Sequence, residues 1–178
     1  ESECNIATVR SGNCIGGGDW TKDRIVKDCA EKFIFNKDIT IRSPRASRPW
    51  QHVMEPIFGY LKLAEKLYKS KKFIGPWNFG PNIKNNLTVL EVAKFGKNLM
   101  RSNSKIKFTK SKFYESEHLS LDSSKSKLFL NWKTYLKPKE ALKLSFDWYL
   151  LYYKNKNIKK IIEFTFEQIQ DYKKRFIK

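Results

Sequence analysis

The chain has 178 residues, 36 of them Lys or Arg against 18 Asp or Glu, for a formal net charge of +18, and 40% are hydrophobic. That length suits one globular unit able to bury roughly 70% of its unfolded surface, and a 15% aromatic content excludes a solvated low-complexity chain. No apolar run approaches the roughly 20 residues that span a bilayer, and Glu1, Ser2 and Glu3 are unlike the basic start of a signal peptide, so the expected location is cytoplasmic.

In chain order, an apolar strand over residues 5–10 runs into Ser11-Gly12-Asn13-Cys14-Ile15 and three consecutive glycines, Gly16 to Gly18. Consecutive glycines after a strand mark backbone that turns tightly or approaches something closely. They do not form a dinucleotide fingerprint, because Thr21 stands where G-x-G-x-x-G needs its last glycine. A helix is predicted over 22–35, a strand over 38–42, and a turn-rich stretch over 43–50. Pro56 opens a helix whose apolar stripe reads Ile57, Tyr60, Leu61, Ala64, Leu67 and Tyr68. Trp77 to Phe79 reads as a short strand. Thr88 and Glu91 form a capping box for a helix with Val89, Val92, Ala93, Leu99 and Met100 inward. A strand over 105–109, a short helix capped by Asp122, a helix opened by Pro138 with Leu142, Phe146, Tyr149 and Tyr153 on one stripe, and a last helix over 165–176 complete the pattern. Strands alternating with helices predict an α/β fold.

Cys4, Cys14 and Cys29 are an odd, unevenly spaced set beside two histidines, so neither a disulfide framework nor a metal site is expected, and they read as buried thiols. The lysines are scattered and thicken towards the end (Lys154, Lys156, Lys159, Lys160, Lys173, Lys174), without a nucleic-acid-binding motif. No nucleic acid and no membrane partner is expected, although a basic nucleic-acid-binding module stays an alternative explanation of the charge. The chain opens on Glu1 and goes straight into a strand, which reads as a piece of something longer.

Three stretches go beyond periodicity. The loop from Arg10 to Trp20, with Asp23-Arg24-Ile25 after it, resembles the loop after the sixth strand of extended short-chain dehydrogenases acting on nucleotide sugars. Arg48-Pro49-Trp50-Gln51-His52-Val53-Met54-Glu55-Pro56 is similar to the R-P-W-Q-H-V-L-E-P segment of one branch, the CDP-glucose 4,6-dehydratases. Asp122-Ser123-Ser124-Lys125, Trp132, Trp148-Tyr149 and Thr165-Phe166-Glu167-Gln168-Ile169 resemble later blocks of that branch, in the same order. Departures are Val26-Lys27 in place of Ile-Pro, Tyr114 in place of histidine, and Asn131 in place of glycine.

The resemblance implies the C-terminal part of an extended short-chain dehydrogenase, with remnant Rossmann strands and a small mixed α/β substrate-binding domain. Residues 1–20 would be the last part of the Rossmann-type domain and 21–178 the substrate-binding domain, with 50–80 packing back on the Rossmann sheet. The family enzyme is an NAD-dependent lyase. It oxidises the hexose at carbon 4, eliminates water across carbons 5 and 6, and returns the hydride to carbon 6, because the ketone acidifies the proton beside it. The implied product is CDP-4-keto-6-deoxyglucose plus water, a step of deoxysugar supply for lipopolysaccharide O-antigen. The glycine fingerprint and Tyr-x-x-x-Lys pair belong upstream in the family, so no catalytic and no cofactor-binding residue is assigned here, and the chain alone is expected to bind and not turn over. The full-length protein would be a homodimer.

Carried over residue by residue, the implied contacts to a CDP-hexose are Asn13, Trp20, Arg24, Ile25, Thr40, Arg42, Arg48 and Glu115. Arg48 matches the arginine that pairs with the diphosphate, for which a planar fork suits two phosphate oxygens. Arg24 and Ile25 match the loop beside the nucleotide, Thr40 and Arg42 a strand lining the base, and Glu115 the ribose contact. Alternatives stay open: Asn13 as a turn residue bonding its own loop, Trp20 and Trp50 as core aromatics, and His52 as a satisfied structural histidine. Another nucleotide-sugar dehydratase or epimerase, or a noncatalytic interaction protein on the same fold, stays in competition.

Overall fold

A computed structural model describes residues 4–82, 84, 86–110 and 116–176. Its first strand run changes partner half-way. β1 (Ala7–Ser11) pairs in parallel with β6 (Gly75–Phe79), and β2 (Asn13–Ile15) pairs in parallel with β5 (Trp50–His52). Gly12 sits at the change and donates its N–H to the Phe79 carbonyl at 3.0 Å. Two further pairs lie apart from this run: β3 (Ile39–Ile41) with β8 (Ile106–Phe108) in parallel, and β4 (Ser47–Arg48) with β7 (Leu87–Thr88) antiparallel. Parallel pairing requires crossover connections, which helices supply, so the fold is mixed α/β as the alternation predicts.

The helices are α1 (Ile25–Ile34), α2 (Met54–Lys69), α3 (Val89–Leu99), α4 (Ser124–Leu130), α5 (Pro138–Asn155) and α6 (Ile158–Lys173). The predicted capping box is present at α3, where Thr88 and Glu91 satisfy each other's backbone N–H. Pro138 opens α5, and Glu140 reaches back to the Lys137 N–H. Predicted ends move for local reasons. Asp23 has φ 61, which a right-handed helix cannot contain, so α1 begins at Ile25 and not at 22. Lys156 is left-handed and Asn157 accepts from the Lys160 N–H at 3.2 Å, so α6 starts at Ile158, seven residues before the expected 165. Asn131 is also left-handed (φ 46) and ends α4, a conformation that asparagine tolerates better than most residues.

Two apolar clusters hold these elements. The larger joins α1, α3 and α5 with the strands through Cys29, Phe33, Val92, Leu142, Phe146 and Tyr149. The smaller collects Leu63, Trp77, Phe79, Leu130 and Trp132 beneath α2, α4 and β6, with Ala7 of β1 against it. Fully burying each such side chain contributes roughly 1.5–3 kcal/mol.

Two expectations are overturned. The stripe proposed as the buried face of α2 is largely outward: Ile57, Ala64, Leu61 at 65% and Tyr68 at 90% are exposed, and Glu55, Pro56, Gly59 and Leu63 are the buried residues. Gly59, which lacks a Cβ, lets Phe79 and Trp132 approach, so the narrow face packs and the bulky face does not. Of the three cysteines only Cys29 is buried, while Cys4 and Cys14 are exposed. No described helix is long and apolar enough to cross a membrane.

Glu55 is fully buried where the two clusters meet. Its Oε1 accepts from the N–H groups of Tyr135 (2.8 Å) and Leu136 (2.7 Å), its Oε2 from the Tyr172 hydroxyl (2.9 Å), and its carbonyl from Trp132 Nε1 (3.1 Å). Burial pushes this carboxyl up, and the three donors pull against it. Glu55→Ala would leave two N–H groups and a hydroxyl unsatisfied, and should cost about 3 kcal/mol or more, about 10 °C in melting temperature for a chain of this size. Glu55→Gln, which keeps an acceptor for the two N–H groups, should cost clearly less in the same thermal melt. His52 is buried with Nδ1 accepting from the Met54 N–H at 3.4 Å, and burial pushes its imidazole down to about 4 from 6.5. The unfolded chain takes up this proton near pH 6.5 and the folded chain near 4, so stability present at neutral pH is lost as pH falls across that window. Melts from pH 7 to 4 should show His52→Gln losing less stability than the native chain, by up to about 1.4 kcal/mol per pH unit.

Candidate functional site

Ligands of open α/β sheets collect where the strand order changes, beyond the carboxyl ends of the strands. Here that place is the end of β1, where Gly12 switches the chain from β6 to β5. A cleft of about 940 Å³ opens there, bounded by residues 11–16, the loop and first turns of α1, β3, and the β4–β5 corner. A cleft of this size lies within the range of small-molecule sites.

The glycine loop is held open by α5. The Tyr149 hydroxyl donates to the Asp19 carbonyl at 2.8 Å and accepts from the Asp19 N–H at 3.1 Å. A Cβ at Gly17 would fall on the Trp148 ring, and Gly18 has φ 80, so the run needs glycine for close approach and for its turn. The polypeptide then reaches α1 only at Ile25. This loop therefore seats on an aromatic ring and presents no helix N-terminus behind a strand, the arrangement on which a dinucleotide pyrophosphate rests. The cleft does not fit NAD by that means.

The cleft wall carries both signs of charge. Arg42 pairs with Asp23 at 2.9 Å, Arg24 with Asp19 at 3.5 Å, and Lys27 with Asp28 at 3.3 Å and Glu31 at 3.1 Å. Partial burial raises Asp19, but the Thr21 hydrogen bonds and the Arg24 and Lys27 charges outweigh it and hold the carboxyl below its ordinary value. Burial pushes Asp28 up. Arg24 and Arg42 are mostly solvent-exposed, and exposed pairs are worth about 0–1 kcal/mol, so a phosphate oxygen could exchange for either carboxylate at small cost. The Cys14 thiol also lies on the cleft, 3.2 Å from Ser11 Oγ; the cleft wall raises its pKa, which keeps it protonated and a poor nucleophile.

Asn13, Arg24, Ile25, Thr40, Arg42 and Arg48, which lie far apart in sequence, all line this one cleft. Trp20 does not line it. It packs against Trp148, Tyr149, Tyr152 and Tyr153, with the Tyr152 ring centroid 4.7 Å away, but at 46% exposure it is not the core aromatic of the alternative reading either. Glu115 lies outside the described residues. Arg48 is buried, and its Nη1 donates to the carbonyls of Ser47 (2.9 Å) and Ser116 (2.8 Å), which braces the fork at the cleft edge. Tyr149 and the acids Asp19 and Asp23 are site residues that sequence reasoning missed. The sole signal for Tyr149 was a place on the α5 stripe, where a tyrosine among apolar residues usually seeks a partner for its hydroxyl.

The nine-residue motif that begins at Arg48 is mostly structural. Trp50 Nε1 donates to the Leu87 carbonyl at 2.9 Å, Gln51 Nε2 to the Phe79 carbonyl at 2.7 Å, and Glu55 ties the clusters together. Only Arg48 and Trp50 of this segment reach the cleft. Three tyrosines do precede a lysine at the Tyr-x-x-x-Lys spacing, Tyr68 with Lys72, Tyr135 with Lys139 and Tyr152 with Lys156, contrary to the expectation that the spacing lies only upstream. None of the three lines the cleft. Among the described residues no group of three His, Cys, Asp or Glu is placed to hold a metal ion.

No protein-family model matches the sequence. The chain is 40% identical over 129 residues, 71% of its length, to CDP-glucose 4,6-dehydratase of Salmonella typhimurium, and spans 36% of that relative. Among solved structures it is similar to dTDP-glucose 4,6-dehydratase from Bacillus anthracis in complex with NAD (TM-score 0.69, 18% identity, 87% of this chain and 47% of that one). It is equally similar to UDP-glucuronic acid 4-epimerase from Bacillus cereus in complex with UDP-glucuronic acid and NAD (TM-score 0.69, 18% identity, 80% and 44%). The chain thus spans about a third of the curated relative and under half of these structures. Its fold is that of the C-terminal part of the extended short-chain dehydrogenases, and its sequence resemblance is to the CDP-glucose 4,6-dehydratases.

Proposed function

We propose that this chain is the substrate-binding portion of an NAD-dependent CDP-glucose 4,6-dehydratase, which converts CDP-glucose to CDP-4-keto-6-deoxyglucose and water. The observation that carries the reading is the convergence of Asn13, Arg24, Ile25, Thr40, Arg42 and Arg48 on one cleft at the strand switch. In this reading the braced fork of Arg48 and the exposed fork of Arg42 take the diphosphate, exchanging the Asp23 carboxylate for phosphate oxygens. Thr40 and Arg42 flank the base from β3, Arg24 and Ile25 close over the nucleotide, Asn13 bonds the sugar side, and Glu115 meets the ribose. NAD, which accepts the hydride and returns it when bound, is assigned to polypeptide preceding this chain, because the glycine loop here is seated on Trp148.

That preceding polypeptide also gives an account of two unpartnered surfaces. The outward stripe of α2 is apolar, and among the described residues β1 pairs only with β6, with Thr8, Val9 and Arg10 exposed. An open strand edge beside an apolar helix face invites further sheet, consistent with residues 50–80 packing on a Rossmann half. The whole protein would be a homodimeric cytoplasmic lyase that serves O-antigen deoxysugar synthesis. A second reading, another nucleotide-sugar dehydratase or epimerase, is favoured by the equal likeness to the epimerase structure.

Titration calorimetry on the full-length protein should give tighter binding of CDP-glucose than of UDP-glucose, and Arg42→Ala should weaken it about tenfold or more, the scale of a charged hydrogen bond. Preference for UDP-glucose would support the second reading, and no affinity for either would overturn both. The 178-residue chain alone should associate or aggregate through α2 in sedimentation velocity, and Leu61→Glu should reduce that association. A monomer with a sharp melt would remove the argument from the unpartnered face.

A further inference from the structure

The last helix carries an apolar face that the cleft and the two clusters leave unused. Ile161, Gln168 and Tyr172 turn inward, while Ile158 (72% exposed), Ile162, Phe166 (60%) and Ile169 form a second, outward stripe. At 3.6 residues per turn, Lys159 borders this stripe on one side and Lys173 lies in its arc one turn beyond Ile169, while Glu163, Glu167 and Asp171 lie further round on the Lys159 side. The stripe continues onto α5. Trp148 Nε1 donates to Thr165 Oγ1 at 2.8 Å, Trp148 stacks on Tyr152, and Tyr152 meets the half-exposed Trp20. Exposed Lys154, in the last turn of α5, and Lys156, just after it, stand beside the junction of the two helices.

We propose that this face docks on the surface of an anionic phospholipid bilayer. The elements of an interfacial helix are present together: an isoleucine and phenylalanine stripe, lysines at its two ends, and amphipathic indole and phenol rings at one end. Charge decides the occupant. A second copy would bring a second set of the exposed Lys154, Lys156, Lys159 and Lys173 to the same face, whereas an acidic leaflet attracts all of them. The absence of a spanning segment, on which the expectation of no membrane partner rested, does not bear on surface docking, which needs no such segment. The surface is separate from the cleft and does not depend on what the cleft binds.

Sedimentation of the full-length protein with vesicles of phosphatidylcholine, with and without phosphatidylglycerol, tests this. Binding is expected to the phosphatidylglycerol vesicles only, and to weaken with added salt. Ile162→Ser with Phe166→Ser should reduce it tenfold or more, and Lys159→Gln with Lys173→Gln by about thirtyfold, at about 1 kcal/mol for each lysine. All four positions are exposed, so thermal melts should be unchanged, which separates loss of docking from loss of fold. The proposal is overturned by absence of vesicle binding, by binding that the Ile162 and Phe166 substitutions leave intact, or by a dimer that those substitutions dissolve.

Discussion

A fully buried carboxylate binds together the parts of this molecule that lie furthest apart in sequence. Glu55 takes hydrogen bonds from residues 135, 136 and 172, and its carbonyl takes one from Trp132. Trp132 belongs to the cluster under α2 and β6, whereas Leu136 and Tyr172 belong to the cluster between α1, α3 and α5. In a dry interior an acceptor with three directed donors tolerates little displacement, because each broken bond leaves a buried group unsatisfied. The relative placement of the two clusters, and with it the position of β5 beside β2, follows from this junction.

The cleft is a consequence of that placement. With β5 held against β2, Arg48 and Trp50 arrive at the end of β1, and the strand run must leave β6 at Gly12 to reach its new partner. The Tyr149 hydroxyl fixes the opposite wall by holding both backbone groups of Asp19. What remains between them is a space in which Arg24, Lys27 and Arg42 are paired with carboxylates and Arg48 with backbone carbonyls. Exposed pairs such as Arg42 with Asp23 can exchange partners at small cost.

The segment of strongest family resemblance illustrates how motif and site differ. Of the nine residues from Arg48 to Pro56, Trp50 Nε1, Gln51 Nε2 and Glu55 Oε1 are bonded to backbone groups inside the protein, Glu55 Oε2 to the Tyr172 hydroxyl, and His52 is held neutral by burial. A motif can thus be specific to a fold because of packing and buried hydrogen bonds, with only Arg48 and Trp50 turned to the cleft. Its presence identifies the scaffold more directly than it identifies the ligand.

Local structure was legible in the sequence wherever short-range forces decide it. The α3 capping box, Pro138 at the start of α5 and the alternation of Ile39, Thr40 and Ile41 each depend on neighbours within four residues, and each is present. The α/β class was also legible, and six of the eight residues carried over by resemblance, Asn13, Arg24, Ile25, Thr40, Arg42 and Arg48, line one cleft, whereas Trp20 does not. Side-chain burial across elements was not. An apolar stripe on α2 or α6 states that a face is hydrophobic, but whether it is covered depends on what the rest of the chain brings to it, and for α2 the small face around Gly59 won. The partners of Glu55, the latch of Tyr149 and the contacts of Trp20 with an aromatic cluster span from 77 to 133 residues of sequence. Contacts of that separation exist only after the chain has folded, so the sequence by itself determined the elements and the family likeness, and the tertiary structure alone decided which faces, charges and cleft they present.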